Sequence, residues 1–189
     1  MTDQDDLTAL LLRIGDDHLV LGHRLSEWCG HAPMLEEDLA LPNMSLDLIG
    51  TARMCYCYAA EIEGGGRTED YYAFFRDGTE FRHVIMAERP NGDFAHTILR
   101  QFFFAAYMNP FWRAMTGSVD RQLAAHAGKA VKETAYHIRH CGEWVIRLGD
   151  GTEESACRMA TALDDLAPYI GEMFETDETA SRLIMAGVL

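Results

Sequence analysis

The chain has 189 residues, the length of one ordinary domain or of one large helical bundle. Hydrophobic residues make up 48% and charged residues 24%, the composition of a folded globular protein, which excludes disordered and fibrous chains. The net charge is -14, from 16 Lys and Arg against 30 Asp and Glu. Because so acidic a surface repels phosphates, we expect neither nucleic acids nor anionic membranes as main partners. A basic protein surface is a suitable partner.

Apolar residues along most of the chain recur every three or four positions, which is the period of an amphipathic helix. Glycines, prolines and capping residues separate the periodic segments. In chain order, the predicted helices span residues 7–28, 35–62, 69–75, 80–88, 94–116, 119–148, 152–174 and 178–185. No segment alternates with the two-residue period of a strand, so almost no strand is expected.

Proline and glycine predict where these helices bend or end. Pro42 predicts a kink or a restart in the second helix, and Pro168 predicts a kink in the seventh. The run Gly64–Gly66 ends the second helix. Long helices joined by short turns, with one longer crossover, predict an all-α, ferritin-like up-down bundle with short accessory helices. Residues 1–189 are expected to form a single domain of this kind.

The segment from Phe94 to Thr116 is apolar on nearly all sides, which is typical of a helix buried in a bundle or in a subunit interface. Within it, Phe102, Phe103 and Phe104 point in directions about 100° apart. The sequence therefore predicts that at least one of these rings faces another chain, in a homodimer or in a complex with a different subunit.

The cysteines and the N-terminus indicate a cytoplasmic protein. Five cysteines, with no Cys-x-x-Cys pair, predict mainly buried free thiols in a reducing compartment. The first residues are acidic and polar, unlike a secretory signal. The apolar stretches are interrupted before the length of a membrane span, so no membrane segment is expected.

A di-iron site in a ferritin-like bundle needs one carboxylate on each of two helices and Glu-x-x-His on each of the other two. The candidate positions in this chain carry Asp17, Asp47, Gly50, Gln101, Glu133 and Tyr136. Gly50 and Tyr136 stand where histidines are required, and Gln101 lacks the charge of a glutamate. Too few ligands remain for two irons. We therefore expect neither a metal nor a catalytic residue on this chain.

Two interpretations of Glu133, His137 and His140 remain open, since their spacing places them on one helix face. They form either a three-ligand site for a single metal or a buried acid–imidazole pair with a third, more exposed histidine. The first interpretation predicts a self-sufficient metalloenzyme with a reduced or mononuclear site. Asp16 and Asp17 lie in mid-helix, where acids are usually solvated; the alternatives for Asp17 are a salt bridge to Arg13 and a contact with the Glu133–His137 pair.

Several strings along the chain resemble one known family. They are Leu12–Asp16, Leu19–Leu21, Glu27–Pro33, Leu46–Arg53, Glu88–Ala95, Lys129–His137 and Arg147–Thr152. Together they are similar to the phenylacetic acid catabolic protein family, over about residues 8 to 180. The resemblance is closest to the non-catalytic subunits of that family.

The resemblance implies a ferritin-like fold and a place in a soluble multicomponent monooxygenase. In that system, the ring of phenylacetyl-CoA is epoxidised during phenylacetate degradation, and a sister subunit carries the iron and the thioester substrate. The expected role of this chain is to pair with that catalytic subunit and stabilise it, with no cofactor of its own. The resemblance also implies that the C-terminal extension of the family is absent beyond Leu189.

Overall fold

The computed structural model describes residues 3–189, which form helices and turns without strands. The α-helices are α1 (Asp3–Ser26), α2 (Leu35–Glu63), α3 (Glu69–Phe74), α4 (Ile85–Glu88), α5 (Phe94–Met115), α6 (Arg121–Gly149), α7 (Glu153–Leu166) and α8 (Glu178–Met185). The predicted all-α class is confirmed. Within the described residues, no helix is both long enough and apolar enough to cross a membrane.

The first two long helices, α1 and α2, form an antiparallel hairpin. Ser45 Oγ donates a hydrogen bond to the Gly22 carbonyl at 2.7 Å, and Tyr56 donates to Asp16 at 2.6 Å further along the pair. Glycine allows the close approach: a Cβ atom on Gly15 would lie 2.6 Å from Tyr56 Cε1. The hairpin is therefore packed too tightly at this point for any larger residue.

The other two long helices, α5 and α6, form a second antiparallel hairpin. The side chains of Asp93 and Asp120 accept hydrogen bonds from the first turns and so fix where the two helices begin. Asn109 donates to Thr134 Oγ1 at 2.9 Å, and Gln101 lies against His137 at 3.2 Å.

The two hairpins pack with α1 beside α5 and α2 beside α6. The rings of His18 and Phe104 lie 5.1 Å apart, and His137 Nε2 lies 3.2 Å from Asp47 Oδ2. Near one end of the α2–α6 pair Glu37 contacts His140, and near the other Gln122 contacts Glu61, so α2 is antiparallel to α6 and parallel to α5. Residues 64–93 must therefore cross the length of the bundle. One long crossover in a four-helix bundle is the ferritin-like arrangement.

The crossover differs from the single helix predicted over residues 80–88. It has a short 3-10 turn at Gly78–Glu80 and then the one-turn helix α4. The reason is that the backbone N–H groups of Arg82 and Val84 donate to Asp16 and Asp17 on α1, at 2.8 and 2.7 Å. A continuous helix over residues 80–88 would have used the Val84 N–H internally, as a donor to the Glu80 carbonyl.

The two predicted proline effects differ in outcome. The helix α2 continues through Pro42 without interruption. The seventh helix ends at Leu166 and not at residue 174, and 3-10 turns at Ala167–Tyr169 and Gly171–Phe174 follow. Pro168 lacks an N–H, which explains why the α-helical bonding stops there.

That an aromatic ring of α5 faces another chain stays a prediction. Phe104 is buried, and Phe102 and Phe103 are half-buried against α7, which packs on α5. The helix α7 supplies the cover that the sequence pattern did not reveal. Large exposed apolar side chains lie elsewhere, among them Phe74, Phe75 and Met185.

The cysteines match the sequence prediction only in part. All five are free thiols, but only Cys55 and Cys141 are buried. Cys57 is half-buried, and Cys29 and Cys157 are exposed.

Candidate functional site

Five polar side chains meet between the four long helices, at the level where a ferritin-like bundle holds metals. This central polar cluster comprises His18 of α1, Asp47 of α2, Gln101 of α5, and Glu133 and His137 of α6. All except Gln101 line a cavity of about 10 Å³, roughly the space that one water molecule needs.

The imidazole of His137 is the centre of the cluster and is 1% exposed. Its Nε2 lies 3.2 Å from Asp47 Oδ2, and its Nδ1 lies 3.2 Å from Gln101 Nε2. A ring protonated on Nε2 donates to the carboxylate and accepts from the amide, which satisfies both bonds. Both ring nitrogens are therefore engaged by protein groups.

His18 lines the same cavity from α1. Its Nδ1 donates to the Ile14 carbonyl at 2.7 Å, and its ring packs edge-on against Phe104. Burial, which disfavours the charged imidazolium, lowers the pKa of His18 to about 4. The imidazole is consequently neutral at pH 7.

A lysine occupies the space beside Gly50, where a histidine ligand would stand. Lys129 Nζ lies 3.1 Å from Glu133 Oε1, and a Cβ built on Gly50 would lie 3.9 Å from that nitrogen. The other oxygen of Glu133, Oε2, is buried without a hydrogen-bond partner. Because the Lys129 side chain is 68% exposed, this is a solvent-screened pair between neighbours on one helix.

The residues present do not fit a di-iron centre. Gln101 replaces a bridging acid, both nitrogens of His137 are already hydrogen-bonded, and Lys129 lies against Glu133. Among residues 3–189, no group of three or more histidine, cysteine or acidic side chains is placed to hold a metal ion. The arrangement can keep polar groups satisfied between the helices, but it offers no open coordination position.

Asp17 lies outside the cluster, contrary to its predicted ligand position. Its Oδ1 accepts from the backbone N–H of Val84 at 2.7 Å, and burial raises the pKa of Asp17 to about 8. It neither pairs with Arg13, which bonds Asp177 at 2.9 Å, nor reaches α6. His18 takes the α1 position in the cluster. Its place in the apolar stripe of α1 was the available signal.

Tyr136 and the trio on α6 also differ from their predicted arrangement. Tyr136 is 37% exposed and lies at the outer side of His137. His140 Nε2 lies 2.9 Å from Glu37 Oε2 of α2, and Glu133 pairs with Lys129. The three candidate ligands therefore have separate partners, so they form neither a common metal site nor a Glu133–His137 hydrogen bond.

Comparison with known proteins agrees with the sequence resemblance. The model of the family described as phenylacetic acid catabolic protein matches residues 1–189. The chain is 47% identical over 184 residues to one of the subunits of the 1,2-phenylacetyl-CoA epoxidase of Escherichia coli (strain K12). That alignment covers 97% of this chain and 74% of the relative. The predicted family is confirmed.

Proposed function

The chain belongs to the phenylacetic acid catabolic protein family, and from this premise we propose that it is the non-catalytic structural subunit of a multicomponent oxygenase. The complex epoxidises the aromatic ring of phenylacetyl-CoA in phenylacetate degradation, in the cytoplasm. The similarity to a subunit of a phenylacetyl-CoA epoxidase supports the substrate and the pathway.

The observation that carries the proposal is the closed state of the central polar cluster. Both α6 side chains of the cluster are engaged by protein partners, namely Asp47 and Gln101 on His137 and Lys129 on Glu133. The cavity of about 10 Å³ is also far below the few hundred Å³ that a phenyl ring with its thioester needs. The substrate therefore has no room at this place.

A chain without its own reaction centre contributes to an oxygenase by binding and stabilising the subunit that has one. We assign the iron and the thioester site to that catalytic subunit, and no cofactor to this chain. In its absence, this chain forms a homodimer. The 1–189 segment acts as a single domain, with neither nucleic acid nor membrane among its partners.

Reconstitution with the catalytic subunit tests the proposal. This chain should purify without stoichiometric iron, bind the iron-bearing subunit in sedimentation, and raise the rate or the lifetime of phenylacetyl-CoA epoxidation by that subunit. Alone, it should form no epoxide. The test uses Phe74→Asp, which changes an exposed ring without touching the cluster, and Gln101→Glu, which restores an acid inside it.

The competing function is a self-sufficient metalloenzyme. Stoichiometric iron on the isolated chain, or epoxide formation without the catalytic subunit, would establish that function and refute ours. Failure of the two subunits to associate at micromolar concentrations would also refute it. Under our proposal, Gln101→Glu alone leaves the chain without iron, because both nitrogens of His137 stay engaged.

A further inference from the structure

A second cavity lies between α1 and α5, beside the turns and the helix that follow α7. The volume of this α1–α5 cavity is about 120 Å³. Phe104 and Met108 line it from α5, and Met173 and Ala180 line it from the C-terminal segment. Among residues 3–189, it shares no lining residue with the central polar cluster, although Phe104 packs edge-on against His18 of that cluster.

The size of the α1–α5 cavity selects a ligand with a single ring. In another protein, a cavity of about 150 Å³ lined by leucine, isoleucine and phenylalanine side chains holds one benzene molecule. Nucleotides and acyl thioesters need the few hundred Å³ of an ordinary ligand pocket, so they are too large. The occupant is therefore no larger than one six-membered ring with a short substituent.

The wall of the cavity is mostly apolar and rich in groups that pack against aromatic rings. Besides Phe104, the rings of Tyr107 and Phe111 line it in a stacked arrangement, with their centres 6.4 Å apart. Met108 and Met173 are buried and contribute thioethers, which pack favourably against ring edges. Stacked and edge-on contacts of this kind favour an aromatic ring over an aliphatic one.

Two polar groups that line the cavity have no hydrogen-bond partner. Asp17 Oδ1 accepts from the backbone N–H of Val84 at 2.7 Å, but Oδ2 has no partner among residues 3–189. The hydroxyl of Tyr107 is likewise without a partner in the described part of the chain. Polar groups of this kind are stabilised by a bound molecule that hydrogen-bonds to them. A ligand hydroxyl suits both, since it donates and accepts.

The surroundings favour an uncharged ligand. Burial raises the pKa of Asp17 to about 8, so this carboxyl is itself protonated near pH 7. Glu172 and Glu175, which also line the cavity, would repel an anion. A cation would lie near the guanidinium of Arg13 and would meet the same cost of desolvation that keeps Asp17 neutral.

We propose that the α1–α5 cavity binds a small neutral aromatic compound that carries one hydroxyl group, a ligand of the phenol class. The ring packs among Phe104, Phe111 and Met108, and the hydroxyl bonds to Asp17 and Tyr107. This inference goes beyond the proposed oxygenase role and does not depend on it, because every residue that lines the cavity belongs to this chain.

Nuclear magnetic resonance of isotope-labelled methionine methyl groups tests the site, with phenol as the probe. Phenol should shift the signals of Met108 and Met173, because the bound ring adds its ring current beside them, and methionines that do not line the cavity should keep theirs. Met108→Leu and Met173→Leu assign the two signals. The shifts should saturate with a Kd of about 1 mM or below, a modest affinity for seven non-hydrogen atoms.

Two variants separate this site from non-specific binding. Ala180→Phe places a ring in the cavity and should abolish the shifts. Ala186→Phe is the matched control at an exposed position of the same segment that does not line the cavity, and it should leave the shifts unchanged. Tyr107→Phe should weaken phenol binding by about three- to tenfold and leave toluene binding unchanged, because only the hydroxyl is lost.

The absence of any shift of Met108 or Met173 up to the solubility limit of phenol would overturn the proposal. So would shifts that persist in a folded Ala180→Phe variant. Tighter binding of benzoate or benzylammonium than of phenol would overturn the neutral class of ligand. Circular dichroism establishes that each variant is folded. If Ala180→Phe does not fold, Tyr107→Phe decides, and an unchanged affinity for phenol in that variant refutes the site.

Discussion

The buried ion pair between Asp16 and Arg76 attaches the crossover to the bundle, and its removal should be costly. Asp16 is 0% exposed and Arg76 is 5% exposed. The carboxylate accepts hydrogen bonds from the guanidinium, from Tyr56 at 2.6 Å and from the backbone N–H of Arg82 at 2.8 Å. One acid thus joins α1, α2 and the crossover.

Substituting Arg76→Met keeps most of the side-chain stem but leaves the charge of Asp16 buried without its counter-ion. Breaking one partner of a buried pair costs about 3–5 kcal/mol. We expect the lower end, about 3 kcal/mol, because Tyr56 and Arg82 continue to donate to the carboxylate. Since folded domains are stable by about 5–15 kcal/mol, the loss should be easy to measure.

The assay is urea unfolding followed by helical circular dichroism. Adding Asp16→Asn to Arg76→Met should restore about 1–2 kcal/mol, because the unpaired buried charge is removed, while the amide oxygen accepts from the Arg82 N–H and the amide NH2 donates to the Tyr56 hydroxyl oxygen. Arg13→Met is the matched control: its pair with Asp177 is solvent-exposed, so the change should cost less than about 1 kcal/mol. An Arg76→Met variant within about 1 kcal/mol of the natural chain would refute the reasoning.

Three further predictions concern single residues. Gly15→Ala should destabilise the fold by about 1–3 kcal/mol, because the new Cβ would overlap Tyr56. Gly128→Ala should instead stabilise α6 by about 0.5–1 kcal/mol, because no atom lies within 4 Å of the new Cβ. Urea unfolding measures both changes. The pKa of His18 is about 4, below its ordinary 6.5. The folding stability that the neutral, buried ring contributes is therefore complete above pH 6.5. It is lost as the pH falls towards 4, by about 3 kcal/mol. His18→Gln should flatten the stability curve over that range, and an unchanged curve would contradict this assignment. A thiol reagent should modify Cys29 and Cys157 quickly, and Cys55 and Cys141 only after unfolding, because burial raises the pKa of both buried thiols.

The helices were predictable because their signals are local. Apolar period and caps defined the four long helices to within a few residues, for instance Phe94–Met115 against a predicted end at residue 116. The crossover was not predictable in detail, because Arg82 and Val84 donate to carboxylates more than 60 residues away in sequence. Nor could periodicity show that α7 covers Phe102 and Phe103, since that depends on how distant helices pack.

The candidate site was predictable at some positions and not at others, for a geometric reason. The ligand pattern of a ferritin-like bundle named Asp47, Gln101 and Glu133 on three helices, and the structure brings these three to one level of the bundle. The pattern did not decide between neighbours such as Asp17 and His18, whose directions differ by about 100°. Which of the two faces inwards depends on the rotation of α1, and that is fixed by contacts with α2 and the crossover.

The polar contacts between α2 and α6 explain why the bundle has a polar centre although its residues do not fit a di-iron site. Within each hairpin the helices pack closely, but across this seam the pairs are polar: Glu37 with His140, Asp47 with His137, Gln122 with Glu61 and Tyr58 with Asp120. Polar groups buried at a helix seam add little net stability, yet each mispaired register leaves one unsatisfied. The cluster therefore specifies how the two hairpins align.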